Sequence, residues 1–271
     1  MKKMMLILSS LMTISLSVGM YYYAKQYTIQ QLTAKEKLEA QVREEQPGQE
    51  PLQPISSDEA ITYSLQNEVL NITYDSGKSW TKVPIKKELL FKGEYNGNEQ
   101  ELMENSYLLN NKLAAFLYMK GPDLEQNQLL LTYSRDKGKT WQDTVIADNI
   151  VALRFRKVRF LTENFGYVIF SPDRTMSAEV STVYLTNDGG NSWQETVSSN
   201  VTRLISDGGF INESTGFLSF GTINPEEPDV YVTEDGGNTW SSSVFHIPDK
   251  YKRIFVTAEV PFTEGDHLGY W

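Results

Sequence analysis

Thr73-Tyr-Asp75-Ser-Gly77-Lys-Ser79-Trp80 decides the fold, because it returns as Ser134-Arg-Asp136-Lys-Gly138-Lys-Thr140-Trp141, Thr186-Asn-Asp188-Gly-Gly190-Asn-Ser192-Trp193 and Thr233-Glu-Asp235-Gly-Gly237-Asn-Thr239-Trp240. All four copies fit Ser/Thr-x-Asp-x-Gly-x-Ser/Thr-Trp. An internal repeat at roughly 50-residue spacing is the mark of a solenoid, a propeller or an array. The residue types belong to a tight β-hairpin. Asp accepts hydrogen bonds from turn amides, and Gly takes a positive φ at no steric cost. The Trp, one residue into the outgoing strand, buries a large apolar area while its indole N–H still needs a partner. The runs entering the first two copies, Val69-Leu-Asn-Ile-Thr and Leu129-Leu-Leu-Thr-Tyr, are strand-like.

A second element lies upstream: Phe160-Leu-Thr-Glu-Asn-Phe-Gly166-Tyr-Val-Ile-Phe, Phe210-Ile-Asn-Glu-Ser-Thr-Gly216-Phe-Leu-Ser-Phe and, more loosely, Tyr107-Leu-Leu-Asn-Asn-Lys-Leu113-Ala-Ala-Phe-Leu. Each reads as strand, turn, strand. Each precedes an eight-residue turn by 25 to 29 residues. A fourth copy, with one extra residue, runs from Phe262 to Gly269 and has no turn after it, whereas the turn at Asp75 has no such element before it. One repeat is therefore expected to be divided between the two ends, with strands from 253–271 closing beside 60–86 and removing open sheet edges. The expectation is an all-β protein of about four four-stranded units, or five or more if Trp271 is a truncation point.

The eight-residue motif resembles the Asp-box, or BNR repeat, of bacterial sialidases and many unrelated β-propellers. The upstream element is similar to that of propellers of the photosystem II assembly factor type, and sortilin-like propellers are a further likeness. The resemblance implies a β-propeller in which each box joins the third and fourth strands of a blade, away from the ligand-binding face. Asp75, Gly77, Trp80, Asp136, Gly138, Trp141, Asp188, Gly190, Trp193, Asp235, Gly237 and Trp240 are then structural, and the motif speaks for fold and not for chemistry.

Ahead of the repeats, Lys2 and Lys3 precede an uncharged run from Met4 to Tyr23, long enough to cross a hydrocarbon layer of ~30 Å. Tyr21, Tyr22 and Tyr23 follow it like an interfacial belt, and this favours an uncleaved signal anchor within 1–25 over a cleaved signal peptide. The lysines place the N-terminus in the cytoplasm and the rest of a single-pass protein outside. Thr28 to Glu45 reads as a polar helical stalk. Gln46 to Ser57, with three prolines, reads as a semi-rigid spacer. The domains expected are an anchor at 1–25, stalk and linker at 26–57, and the propeller at 58–271.

Composition narrows the chemistry. A net charge of -10 gives no basic face for displacing counterions, so no nucleic-acid partner is expected. With no cysteine and two histidines far apart, His246 and His267, neither a metal site nor a cofactor is expected. Sialidases use three arginines, a Tyr/Glu pair, an Asp and an Arg-Ile-Pro motif. That motif is absent here, and the available arginines form no credible triad. No phosphate loop, nucleophile elbow or His-Glu-x-x-His occurs. One local departure from the acidic background is Arg154-Phe-Arg156-Lys157-Val-Arg159, read either as a solvated, charge-protected strand edge or as a cationic patch receiving an acidic peptide, a carboxylate or a glycan. The function expected is a membrane-anchored module that binds or scaffolds an envelope protein or glycan. A sialidase-like or other glycoside hydrolase and a membrane-complex assembly factor stand as alternatives.

Overall fold

The computed structural model describes residues 19–27, 51–93, 99–122, 126–172, 179–221, 229–243, 262–264 and 267–269, and the chain divides into two units, Met1–Pro51 and Leu52–Trp271. In the first unit, α1 (19–27) carries Tyr21, Tyr22 and Tyr23 exposed. Among the described residues no helix is long and apolar enough to cross a membrane. Most of the expected span, all of the expected stalk and the start of the linker lie outside the described residues.

The second unit is all-β and built from antiparallel meanders. The first sheet has three strands, β1 (Thr62–Ser64), β2 (Val69–Thr73) and β3 (Thr81–Lys86), and is followed by the short α2 (Lys87–Leu90). Three four-stranded sheets follow. They are β4 (Tyr107–Leu109), β5 (Ala114–Lys120), β6 (Asn127–Ser134) and β7 (Gln142–Ile150); β8 (Arg156–Phe160), β9 (Gly166–Phe170), β10 (Thr182–Thr186) and β11 (Gln194–Glu195); and β12 (Ile205–Phe210), β13 (Gly216–Phe220), β14 (Val230–Thr233) and β15 (Ser241–Ser242). A hairpin of β16 (Phe262–Glu264) and β17 (His267–Gly269) ends the chain. This architecture is compatible with a β-propeller.

What joins the sheets is legible in β5, Ala-Ala-Phe-Leu-Tyr-Met-Lys, whose first six residues are all buried. A strand with one wet face alternates apolar and polar residues, so a continuous apolar run means that both faces are covered. Ala114, Phe116 and Tyr118 enter a core shared with Leu70, Ile72 and Val83 of the first sheet. Ala115, Leu117 and Met119, on the opposite face, enter a core shared with Val158, Val168 and Phe170 of the third. The middle strand β9 repeats the device, sending Tyr167 and Ile169 into a third core with Phe210, Leu218 and Phe220. Each sheet is thus cemented to the next by side chains from alternate residues of the same strands. Each large apolar side chain so buried contributes about 1.5–3 kcal/mol.

The upstream element is the hairpin between the first two strands of a sheet. Phe160 faces Gly166 and Phe210 faces Gly216 across the ladder. The pairing has a steric cause: a Cβ on Gly166 or Gly216 would stand 2.7 Å from the opposing ring. In the second sheet the same place is held by Leu109 facing Ala114, and Asn110 N donates to Leu113 O as Leu161 N does to Phe165 O and Ile211 N to Thr215 O. The loose copy therefore aligns at Leu109, two residues beyond Tyr107. A smaller aliphatic residue opposite leaves room for a methyl.

Two further findings concern the ends. Ile55 N donates to Tyr63 O and Gln53 N to Gln66 Oε1, so the part of the Pro-rich segment from Leu52 onward lies against the first sheet and belongs to the folded unit. At the other end, β16 and β17 pair Phe262 with Gly269 and Glu264 with His267. Among the described residues they form no ladder with β1, the neighbour expected for them.

Candidate functional site

The eight-residue turns join β2 to β3, β6 to β7, β10 to β11 and β14 to β15, and each is held by the same set of hydrogen bonds. In the first, Thr73 Oγ1 donates to Asp75 Oδ1 and accepts from the amides of Asp75 and Gly77, while Ser79 N and Oγ donate to the two carboxylate oxygens at 2.8 and 2.6 Å. Asp136 with Ser134 and Thr140, Asp188 with Thr186 and Ser192, and Asp235 with Thr233 and Thr239 repeat it. Donation by Ser79, Thr140 and Ser192 holds the carboxyls of Asp75, Asp136 and Asp188 down at about 2, and Thr239 lowers that of Asp235. Gly77, Gly138, Gly190 and Gly237 all have φ between 81° and 94°. The residue before each is also left-handed, which Gly189 and Gly236 accommodate without the strain borne by Ser76 and Lys137. These Asp side chains are occupied in shaping the turn.

Three of the four tryptophans of the turns pack into the intersheet cores, Trp141 against Phe116, Trp193 against Phe160 and Trp240 against Phe210. Trp141 Nε1 finds Gly138 O and Trp240 Nε1 finds Val197 O. Trp193 Nε1 is buried without a hydrogen-bond partner.

The turns and the first-to-second strand hairpins share one end of each four-stranded sheet, and there Gly189 N donates to Asn164 O and Gly236 N to Ser214 O, both at 2.8 Å. At this end Arg135 reaches from the second sheet to the third. Its Nη2 donates both to Glu163 O, at 3.0 Å, and to Gly189 O, at 2.9 Å, and its guanidinium lies over Tyr133 and Phe160, 5.8 and 5.6 Å from the ring centroids. Between the third and fourth sheets the same end carries a groove of about 700 Å³, lined by Leu161, Thr162 and Phe165 on one side and by Ile211, Glu213 and Gly236 among others on the opposite side. Sequence reasoning placed Arg135 inside a turn and missed its reach; the signal available was the variation of that second position among Tyr74, Arg135, Asn187 and Glu234.

The basic run occupies the opposite end and the interior. Arg156 is 1% exposed and donates to Leu90 O beside the first sheet. Lys157 is buried and makes a 2.6 Å ion pair with Asp207 of the fourth. Arg159 donates to Asn105 ahead of the second sheet, and Arg154 binds both Glu179 Oε2 and Ile205 O. The four cations thus share no exposed face; they stitch β8 and its approach to three other sheets. Burial of an uncompensated charge is prohibitive, so each has an oxygen partner. Arg203, two residues ahead of β12, pairs with Asp229 as Arg154, two residues ahead of β8, pairs with Glu179. Neither acid was singled out from sequence, because each lies some 25 residues from its arginine.

No family profile and no curated protein matches the chain. Among solved structures it is similar to a GH74 xyloglucanase from Xanthomonas campestris (14% identity, 72% of this chain and 30% of that one, TM-score 0.37). It is also similar to a protein of unknown function from Dyadobacter fermentans (15%, 66% and 52%, TM-score 0.38) and to YCF48 from Cyanidioschyzon merolae (11%, 80% and 68%, TM-score 0.36). The chain spans about a third of the xyloglucanase and about half of the Dyadobacter protein. The likeness is one of architecture, and it is weak.

Proposed function

We propose that the chain is an Asp-box β-propeller that binds a polypeptide partner at the cell envelope, held outside the membrane by its N-terminal apolar segment. The observation that supports binding over catalysis is the groove between the third and fourth sheets. It is walled by hairpin turns and largely open to solvent, as a surface receiving a chain segment is, whereas sites for small substrates enclose most of their ligand. Two carboxylates line it, Glu213 and Asp235, and the oxygens of Asp235 are already engaged by Thr233 and Thr239.

Photocrosslinking in cells tests this reading. A crosslinker at Ile211 should give a discrete protein adduct that one at Lys82, on the outer strand β3, does not. The chain has no cysteine, so a single cysteine placed at Lys139 should react with a membrane-impermeant maleimide in intact cells. Adducts of equal yield at Ile211 and Lys82 would reject the groove, and labelling only after lysis would reject the topology.

A further inference from the structure

We infer that the groove between the third and fourth sheets is a docking slot for an arginine side chain of the partner polypeptide, an inference that rests on the binding reading above. The chain itself contains the template. At the preceding junction one nitrogen of Arg135 bridges two backbone carbonyls, Glu163 O from a strand hairpin and Gly189 O from an eight-residue turn. The repeat maps Glu163 onto Glu213 and Gly189 onto Gly236, and the amide bonds that fix each pair, Gly189 to Asn164 and Gly236 to Ser214, have the same length. Both carbonyl-bearing residues line the groove.

The residue that would fill this second position from within is Asn187, the counterpart of Arg135, and its side chain is several bonds too short to span the junction. Among the described residues no side chain donates to Glu213 O or Gly236 O. Where the chain places a cation it therefore has a carbonyl pair filled internally, and where it places an asparagine the corresponding pair of carbonyl-bearing residues stands beside an open groove. The surroundings favour a cation. Glu213 and Glu234 are exposed at this end, Asp235 stays ionised because of its hydrogen bonds, and the whole chain carries -10. Between the two cationic side chains, a guanidinium presents planar, weakly hydrated donors that bridge carbonyls and lie over rings, as Arg135 does, and an ammonium lacks that plane.

The test uses the full-length chain in nonionic detergent, labelled with ¹⁵N-glycine and titrated with N-acetyl-arginine amide, the citrulline analogue serving as the uncharged isostere. Saturable movement of the Gly236 amide with the arginine probe is expected, at least about tenfold weaker with citrulline because charge-assisted bonds are lost. Arg135→Ala frees the first carbonyl pair, so Gly189 should then respond as well. Asn187→Arg supplies the side chain internally and should weaken the Gly236 response about tenfold or more; if it does not fold, Glu213→Lys takes its place with the same expectation. A Gly189 response in Arg135→Ala with none at Gly236 in the parent chain would overturn the slot, as would equal responses to arginine and citrulline. If the Ile211 adduct in cells survives in Asn187→Arg, the groove binds a partner by other contacts, and the arginine inference fails while the binding reading stands.

Discussion

Replacing Gly216 by Ala puts a methyl where Phe210 already is. The new Cβ would lie 2.7, 2.7 and 2.8 Å from three ring carbons, against the 3.4–4 Å of ordinary contact. The ring cannot swing aside cheaply, being 2% exposed and hemmed by Phe165, Tyr167 and Trp240 at centroid distances of 6.0, 5.6 and 6.3 Å. Overpacking of this kind costs about 1–3 kcal/mol. Phe210→Leu alone should cost about 1–2 kcal/mol for the space it opens. Together the two changes recreate the Leu109–Ala114 pair that the second sheet uses at the same place. The double variant should therefore lose less than the sum of the singles, by about 1 kcal/mol or more. Urea unfolding of all four proteins, followed by tryptophan fluorescence, measures the coupling. Additive losses would refute the claim that ring and glycine are one steric unit.

Lowered carboxyls in the turns make stability acid-sensitive in a defined window. A folded value near 2 against an ordinary 3.8 means the contribution is complete above about pH 4 and is lost as pH falls toward 2. Asp136→Asn should flatten the fall of melting temperature over that window, and an unchanged profile would contradict it. Lys157→Met removes the cation from Asp207 inside the protein and should cost about 3–5 kcal/mol, with most of it recovered when Asp207→Leu is added; a double variant as unstable as the single would show that the pair is not the cause. Asn127 is fully buried with neither amide atom hydrogen-bonded, so Asn127→Leu, close to it in shape, should raise stability by about 1 kcal/mol, read as a higher urea midpoint.

The turns were legible in the sequence because each task in them is local: Thr73, Asp75 and Ser79 bond to one another within a few residues, and residue type alone can state that. The Phe–Gly hairpins were legible for a related reason, the ring and the bare Cα being complementary wherever they meet. At Leu109 and Ala114 a different pair satisfies the same space, and the pattern dissolved, shifting the alignment by two residues. The partners of the basic run were not legible, on grounds of distance. Arg156 finds Leu90 O, 66 positions away, and Lys157 finds Asp207, 50 positions away. Nothing in Arg-Phe-Arg-Lys-Val-Arg distinguishes an interior stitch from an exposed patch, because its partners include backbone oxygens that belong to no residue type.

The two-faced strand β5 makes adjacent positions answer to different junctions. Phe116 faces the first sheet and Leu117 the third, so trimming one loosens a single seam and leaves the other seated. Odd and even residues of this strand, and of β9 after it, form separate adjusting screws for successive joints. An engineer wishing to tilt one sheet against its neighbour without disturbing the rest has the choice written in residue parity.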